Sequence, residues 1–371
     1  MRRPVYVSGR GAVSCYGLGL EALTGGIYSG ERGIRARVRT DAFHAPTRVA
    51  AEFPAECFAG TAETDLPFAA GSEACRQALS EARIADPSSI GLVLGSTKAD
   101  IAGLMIPGRG LGFPARLAQR IASGLELACV HASVSTACAS GLSAIAMAAR
   151  RIECGEVERV LVLGVDTLSQ FIMAGFGSMH ILDPEPCRPF DASRRGISLG
   201  EGAGAMVLSS HASESTGFRI GGHAGANDAI HISGCDREGG GIALAVKRTL
   251  EHAGLGLDQL DFLHLHGTGT TANDASEAVG LGHAFDGPTP VAYGTKGQIG
   301  HTLGAGGVLE SLITLAALER AEVPGNLGLR EQGVHERLQL SRDPVSLERA
   351  ESGMKLASGF GGIHQAVLYQ R

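Results

Sequence analysis

The apolar pattern of this chain switches repeatedly between short β-branched runs and longer Ala- and Leu-rich segments. That alternation admits few architectures, because it is the pattern of an α/β protein with a buried sheet. It predicts strands at Val5–Ser8, Ile90–Gly95, Arg159–Val165, Gly204–Leu208, Phe262–Leu265 and Val291–Tyr293, and helices at Pro67–Glu81, Ser140–Ile152, Gly240–His252 and Ala305–Arg320. Gly supplies 54 of the 371 residues, aromatics only 5%, and Trp is absent. Elements of such a chain approach one another through backbone rather than through large side chains. The least regular stretch, Ile172–Ser198, is too long for an idle connection and is expected to be a functional loop.

Several functional classes fall away. Lys and Arg number 32 against 38 Asp and Glu, a net charge of −6, which offers no general attraction to nucleic acid phosphates. No window approaches the ~18 consecutive apolar residues of a spanning helix, and the opening MRRPVYVSGRGAV has no long apolar leader core. The whole chain is therefore expected to be the mature protein, cytoplasmic and without a membrane partner. Eight scattered Cys with no CxxC pair argue against both a disulfide framework and a zinc knuckle.

The two halves echo each other. Gln77–Thr97 and Arg248–Thr268 each run from a helix end through an Asp-containing turn into an apolar strand and a small-residue exit. Cys138 and His301 then each open a helix of small residues. Both duplication and the general likeness of α/β units account for this; a boundary would fall near Ser209–Gly217, giving units 1–212 and 213–371.

Four positions carry candidate chemistry. Cys138, in STACASG, is uncrowded and precedes a helix, where the positive end of the peptide dipole can lower a thiol from ~8.5 toward about 3.5–7.5. That setting favours a nucleophile over the buried structural role usual for a free Cys. His266 ends the strand FLHLHGTGT and points toward whatever cleft the strand ends open onto. His264 shares its face, so a metal pair with Asp274 nearby is conceivable, but the ligand set is incomplete and a satisfied core His is the simpler reading. In GTKGQIGHTLGAGGVLE, Glu310 falls on an apolar helix, where a carboxylate is costly without a cation, and Lys296 is its natural partner.

Two motifs are set aside. Gly196–Gly200 matches GxSxG, yet it lacks the strand before and helix after that a nucleophile elbow needs. Gly9-Arg10-Gly11 hints at a dinucleotide loop, but Ser14 stands at the third glycine position.

TACASG, HGTGT, GTKGQIGHTLGAGG and the terminal GFGG occur in an order that resembles the elongating β-ketoacyl-ACP synthases of the thiolase superfamily, and the similarity spans nearly the whole chain. The resemblance implies a duplicated five-layer α/β/α/β/α sandwich and an acyltransferase that condenses acyl-Cys138 with malonyl-ACP, in fatty acid or type II polyketide-like synthesis. It assigns the N–H groups of Cys138 and Phe360 to an oxyanion hole, with Phe360 also a gate to the acyl pocket. His266 and His301 become donors to the enolate, Lys296 shapes the electrostatics near His301, Thr268 and Thr270 hold phosphopantetheine, and Asp274 and Glu310 organise the site. No resident cofactor or metal is implied; the partners are acyl carrier protein and a second ketosynthase chain, as homodimer or heterodimer. The Cys–His–His set differs from the Cys–His–Asn of starter-condensing synthases. A non-catalytic chain-length-setting subunit is the alternative, and a zinc hydrolase using His264 and His266 a distant third. Departures from the family ending put Ser358 where Phe is usual and His364 where Asn is usual, and Gly297 replaces a common Ser. Thr61–Ala74 is acidic and apolar where a basic docking patch is common, leaving Arg109, Arg116, Arg120, Arg150 and Arg151 as substitutes. The chain is also short around Thr97–Val130.

Overall fold

The computed structural model describes residues 2–43, 45–105, 113–285 and 287–371, so Arg109 lies outside the described residues. The helices are α1 (Gly19–Tyr28), α2 (Leu66–Glu81), α3 (Pro114–Gly124), α4 (Ser140–Glu153), α5 (Gln170–Ser178), α6 (Gly240–Ala253), α7 (Thr271–Ala284), α8 (Lys296–Ile299) and α9 (Gly306–Arg320).

Each half builds one sheet. In the first, the order is Val130–Val134, Gly91–Gly95, Arg159–Asp166, Gly202–Ser209, Val5–Ser14; in the second it is Val291–Tyr293, Phe262–His264, Ser352–Gly359, Ile363–Gln370, Phe218–Asn227. Leaving aside the two-residue strands Gly17–Leu18, beside Val5–Ser14, and Gln339–Leu340, at the outer edge beside Val291–Tyr293, and counting in chain order within its half, each sheet reads third, second, fourth, fifth, first. The first two pairings are parallel and the last two antiparallel in both. The shared order and polarity make the two halves a duplication. Val5–Val7 pair with Phe218–Ile220 and join the sheets edge to edge.

Three apolar cores divide the layers. Ala70, Ala74 and Ala78 of α2 with Leu117 and Ile121 of α3 cover the outer face of the first sheet. Val246 and Leu250 of α6 with Leu281 of α7 cover that of the second. Leu142, Ile145 and Ala149 of α4 and Leu309, Leu312 and Ile313 of α9 fill the space between sheets, against Val162 and Met206 on one side and Val367 and Tyr369 on the other. The result is the five-layer α/β/α/β/α sandwich that the resemblance implies.

Glycines set the spacing where backbones meet. A Cβ on Gly9 or Gly11 would stand 2.1 Å from the carbonyl oxygen of Ala78 or Ala74, so this pair seats α2 on the first strand and has no part in a dinucleotide loop. A Cβ on Gly141 would reach the Gly304 carbonyl oxygen at 2.5 Å, and one on Gly307 the Leu142 amide nitrogen at 2.1 Å. The N-termini of α4 and α9 thus abut through backbone, which brings the segments ahead of them, with Cys138 and His301, to one place.

The predicted elements recur with ends shifted by a few residues, but Ile172–Ser198 is not irregular throughout. Its first part belongs to α5, whose start is capped by Ser169, the hydroxyl accepting from the Ile172 N–H at 3.3 Å. Gly175 and Gly177 hide that helix from a propensity reading.

Candidate functional site

Cys138 sits on a strand–turn–helix elbow between Val130–Val134 and α4. Ala137 adopts φ 50°, a left-handed conformation that costs a non-Gly residue about 1–2 kcal/mol. Surrounding bonds hold the turn: the Thr136 N–H donates to Ser140 Oγ at 2.9 Å, and Thr136 Oγ1 lies 3.0 Å from Ser143 Oγ. The elbow geometry denied to Gly196–Gly200 is found here instead.

The segment Ser198–Gly200 has a different task. The His301 N–H donates to the Ser198 carbonyl at 2.7 Å and the Gly200 N–H to the His301 carbonyl at 3.0 Å, fixing that residue's main chain. The Leu303 N–H reaches His301 Nδ1 at 3.3 Å, which leaves Nε2 to carry the hydrogen of the neutral ring. His266 is pinned from both sides. Its N–H donates to Glu277 Oε1 at 2.6 Å, and its carbonyl accepts from Lys296 Nζ at 2.6 Å. The two rings meet edge to face, with centroids 5.3 Å apart.

Lys296 pairs with Glu310 at 2.7 Å, as the sequence predicts, but the carboxylate has a second cation, Lys355, at 2.9 Å. Lys355 Nζ also donates to the Leu265 carbonyl at 2.7 Å. Gly297 stands where Ser is common because a Cβ there would lie 2.2 Å from the Leu327 carbonyl oxygen.

Cys138, His266, His301, Thr268, Thr270 and Phe360 line one cavity of about 470 Å³. Thr268 and Thr270 hydroxyls lie 3.0 Å apart on its wall. Asp274 stays behind it, accepting from the N–H groups of Phe190 at 2.7 Å and Thr268 at 2.9 Å. Phe360 is partly exposed and stacks on Phe176, centroids 6.3 Å apart. Gly359 backs onto the Thr136 carbonyl, where a Cβ would come within 2.8 Å, so the GFGG turn packs against the Cys138 elbow.

The electrostatics revise one expectation. Burial pushes the Cys138 thiol up to about 12, outweighing the Lys296 charge that pulls it down, so the resting sulfur is a thiol and not the thiolate predicted from the helix N-terminus. Burial and then Lys296 hold both His266 and His301 well below the ordinary imidazole value. The site at rest is a neutral thiol facing two neutral rings.

Ser358 and His364 also face the cavity, and together they make it polar. Ser358 Oγ lies 2.9 Å from His364 Nδ1, and His364 Nε2 lies 2.8 Å from Asp228 Oδ2. Asp228 in turn accepts the Gly241 N–H at the start of α6 at 3.0 Å. This chain ties the turn beside Phe360 to α6. His364→Ala leaves a buried carboxylate short of a donor, a loss of about 1–3 kcal/mol. We expect a thermal melt to show the deficit, and His364→Asn, which retains a donor, to recover most of it.

His264 is a satisfied core residue, Nδ1 3.0 Å from Thr314 Oγ1 and Nε2 3.1 Å from Thr295 Oγ1. Among the described residues, His264 and His266 belong to no group able to hold a metal. The substitute arginines are not a free cluster: Arg120 pairs with Asp65 at 2.7 Å and Arg151 with Glu156 at 2.9 Å, while Arg116 and Arg150 are exposed. Among the described residues, no helix is long and apolar enough to cross a membrane.

Sequence reasoning missed Lys355, Glu277 and Asp166. Asp166, fully buried, accepts from Ser96 Oγ at 2.7 Å and from the Gly304 N–H at 2.6 Å, joining the first sheet to the start of α9. Its only signal was an acid ending the apolar run RVLVLGVD.

Comparison with known proteins agrees with this geometry. The family description "Beta-ketoacyl synthase, N-terminal domain" matches residues 2–214 and "Beta-ketoacyl synthase, C-terminal domain" residues 218–330. The 3-oxoacyl-[acyl-carrier-protein] synthase 2 of Vibrio cholerae is 35% identical over 263 residues, covering 64% of this chain and 62% of that protein. The chain thus spans less than two thirds of the length of such relatives in the matched region. A putative polyketide beta-ketoacyl synthase 1 of Streptomyces cyaneus is 29% identical over 99% of this chain and 98% of its own. Among solved structures, the ishigamide ketosynthase/chain length factor superposes with a TM-score of 0.90 at 26% identity, covering 100% of this chain and 99% of that one. A beta-ketoacyl synthase from Burkholderia phymatum gives 0.87 at 25%, with both chains fully covered. With both domain descriptions matched in order across a duplicated sandwich, the chain belongs to the beta-ketoacyl synthase family.

Proposed function

We propose that this protein is a β-ketoacyl-[acyl-carrier-protein] synthase performing decarboxylative Claisen condensation. The observation that carries the reading is one cavity lined by a buried sulfur and two neutral imidazoles. The half 1–212 supplies the sulfur and 213–371 the rings. Cys138 attacks the acyl thioester; the C–S bond to the carrier breaks, the acyl group passes to sulfur, and the thiol proton ends on the departing carrier thiol. The N–H groups of Cys138 and Phe360 stabilise the tetrahedral oxyanion. Malonyl-ACP then loses CO2, and His266 and His301 donate to the developing enolate oxygen, each preorganised donor typically worth about 2.7–4 kcal/mol. The enolate carbon bonds to the acyl carbon, and Cys138 leaves and is reprotonated. Thr268 and Thr270 hold the phosphopantetheine arm that arrives with the carrier, so no resident cofactor is needed, and the reaction belongs to the cytoplasm.

Among the described residues, the edge strand Val130–Val134 has a neighbour on one side only, and it is half-buried. An open edge calls for cover, and a second ketosynthase chain, identical or related, would supply it. The chain-length-setting reading draws support from the likeness to the ishigamide ketosynthase/chain length factor, whereas Cys138 opposes it. Incubation of the isolated chain with a panel of acyl-ACPs, read by intact mass, separates the two: an acyl increment on Cys138 supports the synthase, and none on any panel member overturns it.

Neutral rings also predict a pH profile. With both imidazoles depressed, neither gains a proton near the ordinary ~6.5, so the rings add no inflection to malonyl-ACP decarboxylation there. The nearby group left to titrate is Glu277, which accepts the His266 N–H and whose carboxyl burial pushes up to about 7. An inflection near 6.5 in kcat/KM that persists in Glu277→Gln would contradict neutral donors.

A further inference from the structure

At the far end of α4 from Cys138, a second cluster has no part in this chemistry. Glu153 closes α4, His223 lies mid-strand in Phe218–Asn227, and His252 occupies the last turn of α6. Glu153 Oε1 stands 3.3 Å from His223 Nε2 and 3.4 Å from His252 Nε2, and the three ligand atoms all fall within 4.8 Å of one another. The side chains are 8%, 11% and 12% exposed. We propose that Glu153, His223 and His252 bind a divalent zinc ion that clamps the first half of the protein to the second.

Three observations support this site. The two Glu153–His spacings, 3.3 and 3.4 Å, are those of neighbouring ligands on a tetrahedral ion, since bonds of about 2.0–2.1 Å put such atoms roughly 3.3–3.4 Å apart. Among the described residues, the buried Glu153 Oε2 and His223 Nε2 have no hydrogen-bond partner, an expense that a metal removes. His252 is held from behind by both main-chain groups of His223: its Nδ1 lies 3.0 Å from the His223 amide nitrogen, which donates to it, and 2.9 Å from the His223 carbonyl oxygen. Metal on Nε2 would select the tautomer in which Nδ1 donates to that carbonyl, the carbonyl–His–metal arrangement of many sites, over the one in which Nδ1 accepts the His223 N–H. Two imidazoles and a carboxylate suit zinc better than calcium or magnesium. Water or Glu153 Oε2 completes the fourth position. The basic neighbours are peripheral: Arg2 touches the His252 carbonyl at 3.5 Å from an exposed position, and Arg3 contributes its N–H to the Glu153 carbonyl.

The clamp joins the end of α4, in the central layer of the first half, to a strand and an outer helix of the second. α4 has 14 residues, so at ~1.5 Å per residue the ion lies roughly 20 Å from the catalytic sulfur and its role is structural. Untagged protein stripped with EDTA should take up one zinc per chain by equilibrium dialysis and melt at a higher temperature with zinc than without. Cobalt should give visible d–d bands with no thiolate charge-transfer band, which separates this site from the exposed Cys154 nearby. Glu153→Gln and His252→Gln should each weaken zinc binding roughly 100-fold, the upper end of losses seen for altered metal environments, and abolish the zinc-dependent rise in melting temperature. Circular dichroism of the metal-free variants checks that they fold. Absence of zinc uptake by the wild type, a thiolate band with cobalt, or equal affinity in folded variants would each overturn the proposal.

Discussion

Replacing Cys138 by Ala should abolish acyl transfer and condensation while leaving decarboxylation of malonyl-ACP measurable; replacing His301 by Ala should do the reverse. The reason is spatial. The sulfur stands on the elbow ahead of α4, held by Thr136, Ser140 and Ser143, whereas each imidazole is fixed by contacts that do not involve Cys138. Removing the sulfur deletes the covalent intermediate but disturbs neither ring. Removing His301 deletes a preorganised donor to the enolate, a loss of about 10²–10³ in rate, yet the elbow that accepts the acyl group stays intact. Acyl loading is read by intact mass and decarboxylation by released CO2, so the two steps are scored separately. Should Cys138→Ala still yield β-ketoacyl product, another nucleophile does the work. Should His301→Ala lose loading and decarboxylation equally, the division of labour between the halves is wrong.

The same separation explains what was legible in the sequence. Cys138, His266 and His301 sit in short motifs whose neighbours are small, so each could be read locally. The Lys296–Glu310 pair was legible because an apolar helix cannot carry a lone carboxylate. Lys355 was not, because it comes from the strand Ser352–Gly359, whose Gly, Ser and Lys residues give no strand signal, and it meets Glu310 only when that strand packs on α9. Glu277 was hidden likewise, since its two N–H donors belong to the loop after another strand. The thiol's protonation was misjudged from local sequence because the helix N-terminus is a neighbour in the chain, whereas the burial that outweighs it is tertiary. The C-terminal hairpin and the strand Phe218–Asn227 escaped for the reason Lys355 did: glycine and polar residues form good strands when both faces are covered.

Glu310→Gln is the substitution expected to cost the fold most. Its carboxyl, which burial alone would push up, is held below the ordinary value by Lys296 and Lys355. Both ammonium groups are essentially inaccessible, at 1% and 0%. The neutral amide leaves two buried cations facing each other. Breaking a buried pair from one side typically costs about 3–5 kcal/mol, which at roughly 2–4 °C per kcal/mol for chains somewhat smaller than this one is a loss of several degrees in Tm. The sign with pH is fixed. Burial already draws Lys355 down to about 8 in the wild type, with Glu310 opposing, against ~10.4 in an unfolded chain. Between those values the unfolded state binds more protons, so stability contributed by this group rises with pH through that window. Without Glu310 the lysine falls further, so the deficit of Glu310→Gln should be largest near neutral pH and shrink by about pH 9.5. Lys355→Met added to Glu310→Gln removes one of the opposed charges and should restore part of the loss, a coupling that a double-mutant cycle reads directly. Lys296 would then still reach the His266 carbonyl, and decarboxylation should recover alongside stability. A deficit independent of pH and unrelieved by Lys355→Met would mean that the cost lies in packing rather than in charge.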